Sequence, residues 1–468
     1  MSMTILSFGF WLILFVGVGL ASAVKKESST SDYLLANRAV SPWLVALSAV
    51  ATANSGFMFI GLIGETYSQG LSAMWVMVGW VLGDYLMWSL KIPDKIRETS
   101  ERRNALTMPT FIGGGLKKER VIINICALLI LLFLGLYAAA QLNAGSKALA
   151  ALFDWKPSIG AFVGAIMVVI YCFAGGIRAS IWTDAFQSIV MFVAMSLLCV
   201  VSLSELGGIS GMWSALEKID PQLTDLFPAD VPGGAFLFML GWLFAGAGVV
   251  GQPHIMIRTM AIDSPLNMGK ARKIYVLWNA GFAALAILAG LAARAYLEPS
   301  SVTDAEQALP ILAQQLLPDI LVGLVLAGVF AATMSTADSQ ILACSSAITQ
   351  DLIPQLSKSY SASKICTVGI TAAVLAIALG GGSVFELIVL AWSVLAASLG
   401  PLVIVRALSK PLNGSLALAM VLAGLITVLI WRFVLGWTGF VYDACPGMLC
   451  GGLVYLLGSK FQTAGERS

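Results

Sequence analysis

The stretch Ala51-Thr52-Ala53-Asn54-Ser55-Gly56-Phe57 interrupts an apolar segment, residues 41–64, with a Ser-Gly pair at its middle. Gly disfavours a helix interior, and Asn and Ser compete for its backbone hydrogen bonds. A second apolar segment, residues 234–257, is interrupted by Gly246-Ala247-Gly248-Val249-Val250-Gly251-Gln252-Pro253. The two lie five spans apart and therefore cross in opposite directions. Broken helices at matching places in two oppositely oriented halves point to an inverted-repeat transporter with its site at the midplane. Close helix packing on small residues would account for the glycines, but not for their matched placement. Each break frees carbonyls that can hold a cation and exposes half-helix N-termini that favour an anionic group.

The remaining composition agrees with a membrane setting. Hydrophobic residues make up 59% of 468 and charged residues 11%, more apolar surface than a soluble domain can hide. The chain divides into thirteen expected spans, at 3–24, 41–64, 71–92, 121–151, 158–176, 180–203, 234–257, 273–297, 311–349, 363–381, 385–407, 412–435 and 440–459. Residues 1–468 thus form one transmembrane domain. It comprises an extra N-terminal helix at 3–24, a first repeat at 41–203, an inverted second repeat at 234–407 and two C-terminal helices at 412–459.

Lys25 and Lys26 follow the first apolar run and no basic residue precedes it, which favours an uncleaved span over a signal peptide. Placing the N-terminus outside and the C-terminus in the cytoplasm gathers most of the 27 Lys and Arg on the inner side. That inner set includes Arg38, the group from Lys91 to Arg120, Arg178, Arg258, Lys270, Arg272, Lys273 and Arg467. Only Lys147, Lys156, Lys218, Arg294 and Arg432 fall outside, and the acidic loop 204–233, with Asp230, joins them. The expected location is the plasma membrane, or inner membrane, with the lipid bilayer as partner.

One His, seven Cys scattered mostly through apolar spans and no GxxxxGK[ST] run argue against an enzyme, a His-based metal site or a built-in ATPase. Nothing in the balance of 27 basic and 25 acidic residues suggests nucleic acid. Cys445 and Cys450 lie close enough in sequence to form a disulfide.

A third stretch supplies the chemistry. In Ala332-Thr333-Met334-Ser335-Thr336-Ala337-Asp338-Ser339-Gln340, residues Ser335, Asp338, Ser339 and Leu342 follow i, i+3, i+4, i+7 spacing and share one helix face. A carboxylate at membrane depth costs several kcal/mol unless it faces a partner or a cavity. Hydroxyls and carboxylates suit a small hard cation. A lone Ser bonding back to its own helix would need no such reading. The carbonyls near Ala51 and Asn54 are the natural partners of Ser335 and Thr336. Asp184, at the start of the sixth span, lies at a depth similar to Asp338 and Ser339, and the three form a possible second cation site. Its alternative is an N-cap at the interface. Asp84 is a further buried acid with no evident partner.

The sequence resembles the sodium:solute symporter family. The matching stretches are Ser31-Asp32-Tyr33-Leu34-Leu35-Ala36-Asn37-Arg38, Gly175-Gly176-Ile177-Arg178-Ala179, Trp182-Thr183-Asp184-Ala185-Phe186-Gln187, Gly251-Gln252-Pro253-His254 and Met334 to Gln340. The nearest branch looks like the bacterial sodium/proline symporters, through Gly-Gln-Pro-His with Arg258 and through Ser345-Ser346-Ala347-Ile348-Thr349. The resemblance implies an all-α LeuT-type core of five plus five inverted helices, spans two to six and seven to eleven. It implies a sodium site of the Ala51, Asn54 and Ala332 carbonyls with the Ser335 and Thr336 hydroxyls. It also implies a further sodium site, found in some members, on Asp184, Ser335, Asp338 and Ser339. Tyr137 matches a solute-facing Tyr of the proline branch, whereas Ala53 and Phe57 stand where that branch has Asp and Trp. Ala245, or Trp242 with a local shift, stands where it has another Trp.

The expected function is sodium-coupled import of a small organic solute by alternating access, an amino acid such as L-proline, with Na+ as coupling ion and no cofactor. Ser55, Gly56, Phe57, Tyr137 and Trp242 are the expected solute contacts, an aromatic lining beside a broken-helix N-terminus. Another small carboxylate or other solute is the alternative substrate. A cation channel is the alternative class, and it requires a continuous polar pore where the polar residues here cluster at one depth.

Overall fold

The computed structural model describes residues 2–25, 27–153, 155–228 and 231–461. Lys26, Asp230 and Arg467 lie outside them. Among the described residues the secondary structure is helical apart from one isolated bridge, Val40 to Ile262. Eleven segments are long and apolar enough to cross a membrane. Two of them, Pro42–Ser89 with 48 residues and Pro157–Glu205 with 49, each hold two crossings of about 20 residues. Eleven segments therefore give thirteen crossings.

The building helices are α1 (Ser2–Ser22), α2 (Pro42–Gly56), α3 (Leu62–Gln69), α4 (Met74–Ser89), α5 (Glu119–Phe153), α6 (Pro157–Glu205) and α7 (Gly234–Ala247). They continue with α8 (Pro253–Met260), α9 (Met268–Tyr296), α10 (Asp319–Ser346), α11 (Tyr360–Ala378), α12 (Val384–Ala407), α13 (Gly414–Leu429) and α14 (Ala444–Gly458). The chain breaks where the sequence placed the breaks. Ser55 takes φ 52 and ψ −176, separating α2 from the π-helical turn Phe57–Gly61 that leads into α3. The 3-10 turn Gly248–Gly251 and the extended Gln252 separate α7 from α8, and Pro253, lacking an N–H, starts the new helix.

Three boundaries differ from expectation. The span placed at 311–349 is two helices, Ala308–Leu316 and α10, split at Pro318, whose ψ of 152 is extended. The polar connections placed at 93–119 and 204–233 contain helices, Ile92–Arg102, Met108–Gly113 and Gly208–Ile219. The fifth and sixth spans meet at Gly176 inside the continuous run α6. There the φ of 56 suits Gly, and an added Cβ would lie 2.5 Å from the Tyr33 carbonyl oxygen. The cysteines, Cys445 and Cys450 among them, are all free.

Helix α10 runs through the middle, packed against α2, α5 and α6, and its residues from Val322 to Leu342 are buried without interruption. Helix α2 also touches α6, α8 and α9, so both breaks face the same interior. The break residues are also packing residues. Where α4 crosses α7, a Cβ on Gly83 would come within 1.9 Å of the Leu243 carbonyl oxygen, and one on Gly246 within 1.8 Å of that of Trp80. In lipid, such backbone approach is a main source of helix association. Gly83→Ala or Gly246→Ala should cost about 1–3 kcal/mol by overpacking. The midpoint of thermal unfolding in detergent should fall for each, and by less than the sum for both, because they share one crossing. An unchanged midpoint in both single variants would contradict this packing.

Candidate functional site

The break in α2 can be followed through its hydrogen bonds. In an unbroken helix the Gly56 N–H would bond to the Thr52 carbonyl. Here it donates instead to Gln141 Oε1 at 2.7 Å, and the Phe57 N–H turns to the Ser55 hydroxyl at 3.0 Å. Carbonyls on the last turn of α2 are thereby released toward α10. The Ser335 hydroxyl donates to the Ala51 carbonyl at 3.3 Å and to that of Ala332 at 3.1 Å. The Thr336 hydroxyl reaches the Thr52 carbonyl at 3.0 Å and that of Ala332 at 3.2 Å. Bonding back to Ala332 alone would satisfy both hydroxyls; the reach across to α2 is the part that needs another account. Thr52 was not anticipated as a participant. The Asn54 carbonyl is held by the Phe57 N–H one turn away, and the Asn54 side-chain amide nitrogen has no partner.

All these groups are buried and neutral, and each hydroxyl can rotate its hydrogen away to present a lone pair. They are hard oxygen donors, the chemistry that suits a small hard cation.

One turn further along α10 lies the acidic cluster, and a residue that charge counting had put in a cytoplasmic loop sits inside it. Arg258, on α8, is 1% exposed. Its Nη2 lies 3.1 Å from Asp184 Oδ2, 4.0 Å from Asp338 Oδ1 and 2.8 Å from the Ser180 hydroxyl, and it contacts the Ser339 hydroxyl. Its Nε donates to Ser48 Oγ at 3.1 Å, and Nη1 to the His254 carbonyl. Ser48 in turn donates to Asp184 at 2.7 Å, and Ser339 to Asp338 at 2.7 Å. Tyr171 lies beside Asp338, and Asp184 Oδ1 has no hydrogen-bond partner among the described residues. Asp84, in contrast, is tied into the α4–α9 contact by Tyr275 at 2.7 Å and Asn279 at 3.2 Å.

Of the expected solute contacts, four gather at the α2 break. Tyr137 donates to the Ser55 hydroxyl at 3.3 Å; Gly56 is held by Gln141; Phe57 closes the side facing α12, stacked on Phe385 with centroids 5.5 Å apart. Trp242 stands one ring back, flat against Tyr442 at 4.8 Å and 6.1 Å from Trp80, which in turn lies 5.4 Å from Phe57. It buttresses the site.

Trp80, Trp392, Gln252 and His254 also belong to the site, beyond the residues expected there, and Gln141, an amide expected near the breaks, caps one of them. Trp392 packs 4.5 Å from Trp80 and donates to the Ala245 carbonyl, while Gln252 donates to the Trp392 carbonyl. His254 meets Tyr137 edge-on at 5.7 Å. Both His254 ring nitrogens, Gln252 Oε1 and Gln141 Nε2 are buried with no partner among the described residues. The Gly-Gln-Pro-His stretch was the available signal for two of them. The Trp residues sit in apolar runs that offer none.

Polar contacts tie α5 to the start of α12 close to the α2 break. Lys147 pairs with Asp304 at 2.9 Å and with Glu306, and Glu306 accepts the Phe385 N–H at 3.0 Å, at the start of α12. Asn143 bonds to the Gly382 carbonyl at 2.8 Å. Beside α8, a cavity of about 30 Å³ that Tyr33, Leu106, Pro253 and Leu342 help to line extends to Arg258 and Ser339.

The profile of the sodium:solute symporter family matches residues 33–424. The sodium/proline symporter of Escherichia coli (strain K12) is 32% identical over 95% of this chain and 89% of its own length. The osmoregulated proline transporter OpuE of Bacillus subtilis (strain 168) is 30% identical over 95% of this chain and 92% of its own. Among solved structures, a Na+-coupled sialic acid symporter in a substrate-bound outward-open state superposes with a TM-score of 0.85 at 18% identity, covering 98% of both chains. Mhp1, a nucleobase-cation-symport-1 family transporter, does so at 0.59 and 14% identity, over 93% of this chain and 96% of its own. The fold is thus the LeuT-type inverted repeat, the protein is a multi-pass membrane carrier and not an enzyme, and sodium is its coupling ion: the chain belongs to the sodium:solute symporter family.

Proposed function

We propose that this chain imports L-proline with sodium across the plasma membrane. The observation that carries the sodium site is the reach of Ser335 and Thr336 across to the Ala51 and Thr52 carbonyls released by the break at Ser55. The sodium ligands are the Ala51, Asn54 and Ala332 carbonyls with the Ser335 and Thr336 hydroxyls. Asp184, Asp338 and Ser339 form a second cation position, and Arg258 already lies in it.

Ser55, Gly56, Phe57 and Tyr137 contact the solute, with Trp242 behind them. The proline assignment draws on relatives named as proline transporters and on the match of this lining to a small zwitterion. Phe57, Trp80 and Tyr137 offer apolar faces, and the unpartnered Gln141, Gln252 and His254 atoms offer both donors and acceptors. The repeats span 41–203 and 234–407. The Lys and Arg distribution supports an outer N-terminus and a cytoplasmic C-terminus, which puts the Lys147–Glu306 closure on the outer side.

Sodium moves with the solute when both fit one closed compartment and the ion holds α2 against α10. A channel would conduct ions without solute exchange, so counterflow of labelled for unlabelled proline in proteoliposomes distinguishes the two. Ser335→Ala and Thr336→Ala should each raise the sodium concentration for half-maximal proline uptake about tenfold, the equivalent of about 1.4 kcal/mol. An unchanged sodium dependence in both rules the site out. In a strain lacking proline transport, the wild type should restore sodium-dependent uptake of labelled L-proline, and Tyr137→Ala should abolish most of it. No uptake by the wild type removes proline as the substrate. Uptake indifferent to Tyr137→Ala moves the solute elsewhere.

A further inference from the structure

Arg258 sits on the half-helix that follows the second break, in contact with the first repeat through Ser48, Ser180 and Asp184 and with α10 through Ser339. A guanidinium cannot give up its charge in a protein, so it is a permanent cation there. The carboxylates it faces, Asp184 and Asp338, are fully buried, as are the hydroxyls of Ser48, Ser180 and Ser339 that complete the ring. This is the donor set of a cation site, and its cation is part of the chain.

The guanidinium occupies the space a second ion would need. Its Nη2 lies among Asp184 Oδ2, Asp338 Oδ1 and the Ser180 and Ser339 hydroxyls, the oxygens that would coordinate a cation there. This position shares a wall with the neutral sodium ligands, Ala51, Asn54, Ala332, Ser335 and Thr336: Ser339 Oγ lies 2.6 Å from the Ser335 carbonyl oxygen and 3.3 Å from Thr52 Oγ1. A sodium in the neutral site therefore has no second free set of oxygens beside it.

We propose that Arg258 is a tethered cation that fills the position formed by Asp184, Asp338, Ser180 and Ser339, and so sets the coupling at one sodium per transport cycle. The inference rests on the symport reading above. The cavity of about 30 Å³ beside Arg258 has room for roughly one water. Removing its charge leaves two carboxylates and three hydroxyls, a site for a second sodium. If Arg258 is only a structural ion pair, its loss weakens the fold without changing the number of ions.

Equilibrium binding of radioactive sodium to the purified protein counts the ions without requiring the solute to be known. The wild type should bind one sodium per chain, Arg258→Gln two, and Arg258→Gln with Asp184→Asn one again, since it removes a carboxylate ligand of the second position. Two ions on the wild type overturn the proposal while leaving symport intact. One ion on Arg258→Gln does the same. No sodium on the wild type instead removes the symport reading itself. Should Arg258→Gln be too unstable to purify, the sodium dependence of its melting midpoint in native membranes decides: steeper than wild type supports the tethered cation, and equal or shallower overturns it.

Discussion

A helix unwound inside a bilayer must have its backbone groups satisfied by protein or by a bound ion, because lipid offers no hydrogen bonds. The rest of this structure is arranged around that constraint at Ser55. Gln141 takes up the Gly56 N–H, Ser55 the Phe57 N–H, and α10 brings two hydroxyls to the carbonyls. The cost of breaking α2 is thereby offset by groups from two other helices. On the proposed reading, the same groups hold a cation on one side of the break and border the solute on the other. At the second break, Gly248 to Gln252, the Ala245 carbonyl accepts from Trp392 Nε1, and the Gln252 side chain donates to the Trp392 carbonyl.

The proposed ion and solute positions are coupled through contiguous residues. In that reading Ala51 and Thr52 face the cation, Ser55 to Phe57 the solute, and fewer than two helical turns separate them. An ion that draws α10 onto α2 fixes the α2 break, and with it the Tyr137–Ser55 and Gln141–Gly56 contacts. A ligand shifts a conformational equilibrium only by its differential affinity for the two states. Here the difference lies in whether α10 and α2 are close enough for the carbonyls and hydroxyls to share one ion. The Lys147–Glu306 closure over Phe385 belongs to the same equilibrium, since it joins α5 to the start of α12 above the solute.

Much of this was legible in the sequence where backbone chemistry leaves a mark. Gly, Pro and Ser-Gly in apolar runs showed both breaks, and i, i+3, i+4 spacing showed the polar face of α10. Short linkers were misread where hydrophobicity stays high: Ala308–Leu316 merged with α10 because only Pro318 marks the boundary. Arg258 was misread for the opposite reason. Charge counting assumes that a basic residue near a span end is in water, and here two buried acids from distant spans keep it inside. Trp80 and Trp392 had no local signal, because their role depends on which helices meet and not on what surrounds them in the chain. Trp242, an expected solute contact, stacks on Tyr442 and packs behind Trp80.

The central claim is that one sodium holds α2 to α10 through the Ser335 and Thr336 hydroxyls. The melting midpoint of the purified protein, titrated with sodium against potassium at constant ionic strength, tests it most directly. An ion bound only by the folded state stabilises by about 2.7 kcal/mol at a hundred times its Kd. The midpoint of the wild type should rise with sodium and not with potassium, and the rise should vanish in the variant carrying both Ser335→Ala and Thr336→Ala. A sodium shift in that variant equal to the wild type's would contradict the account.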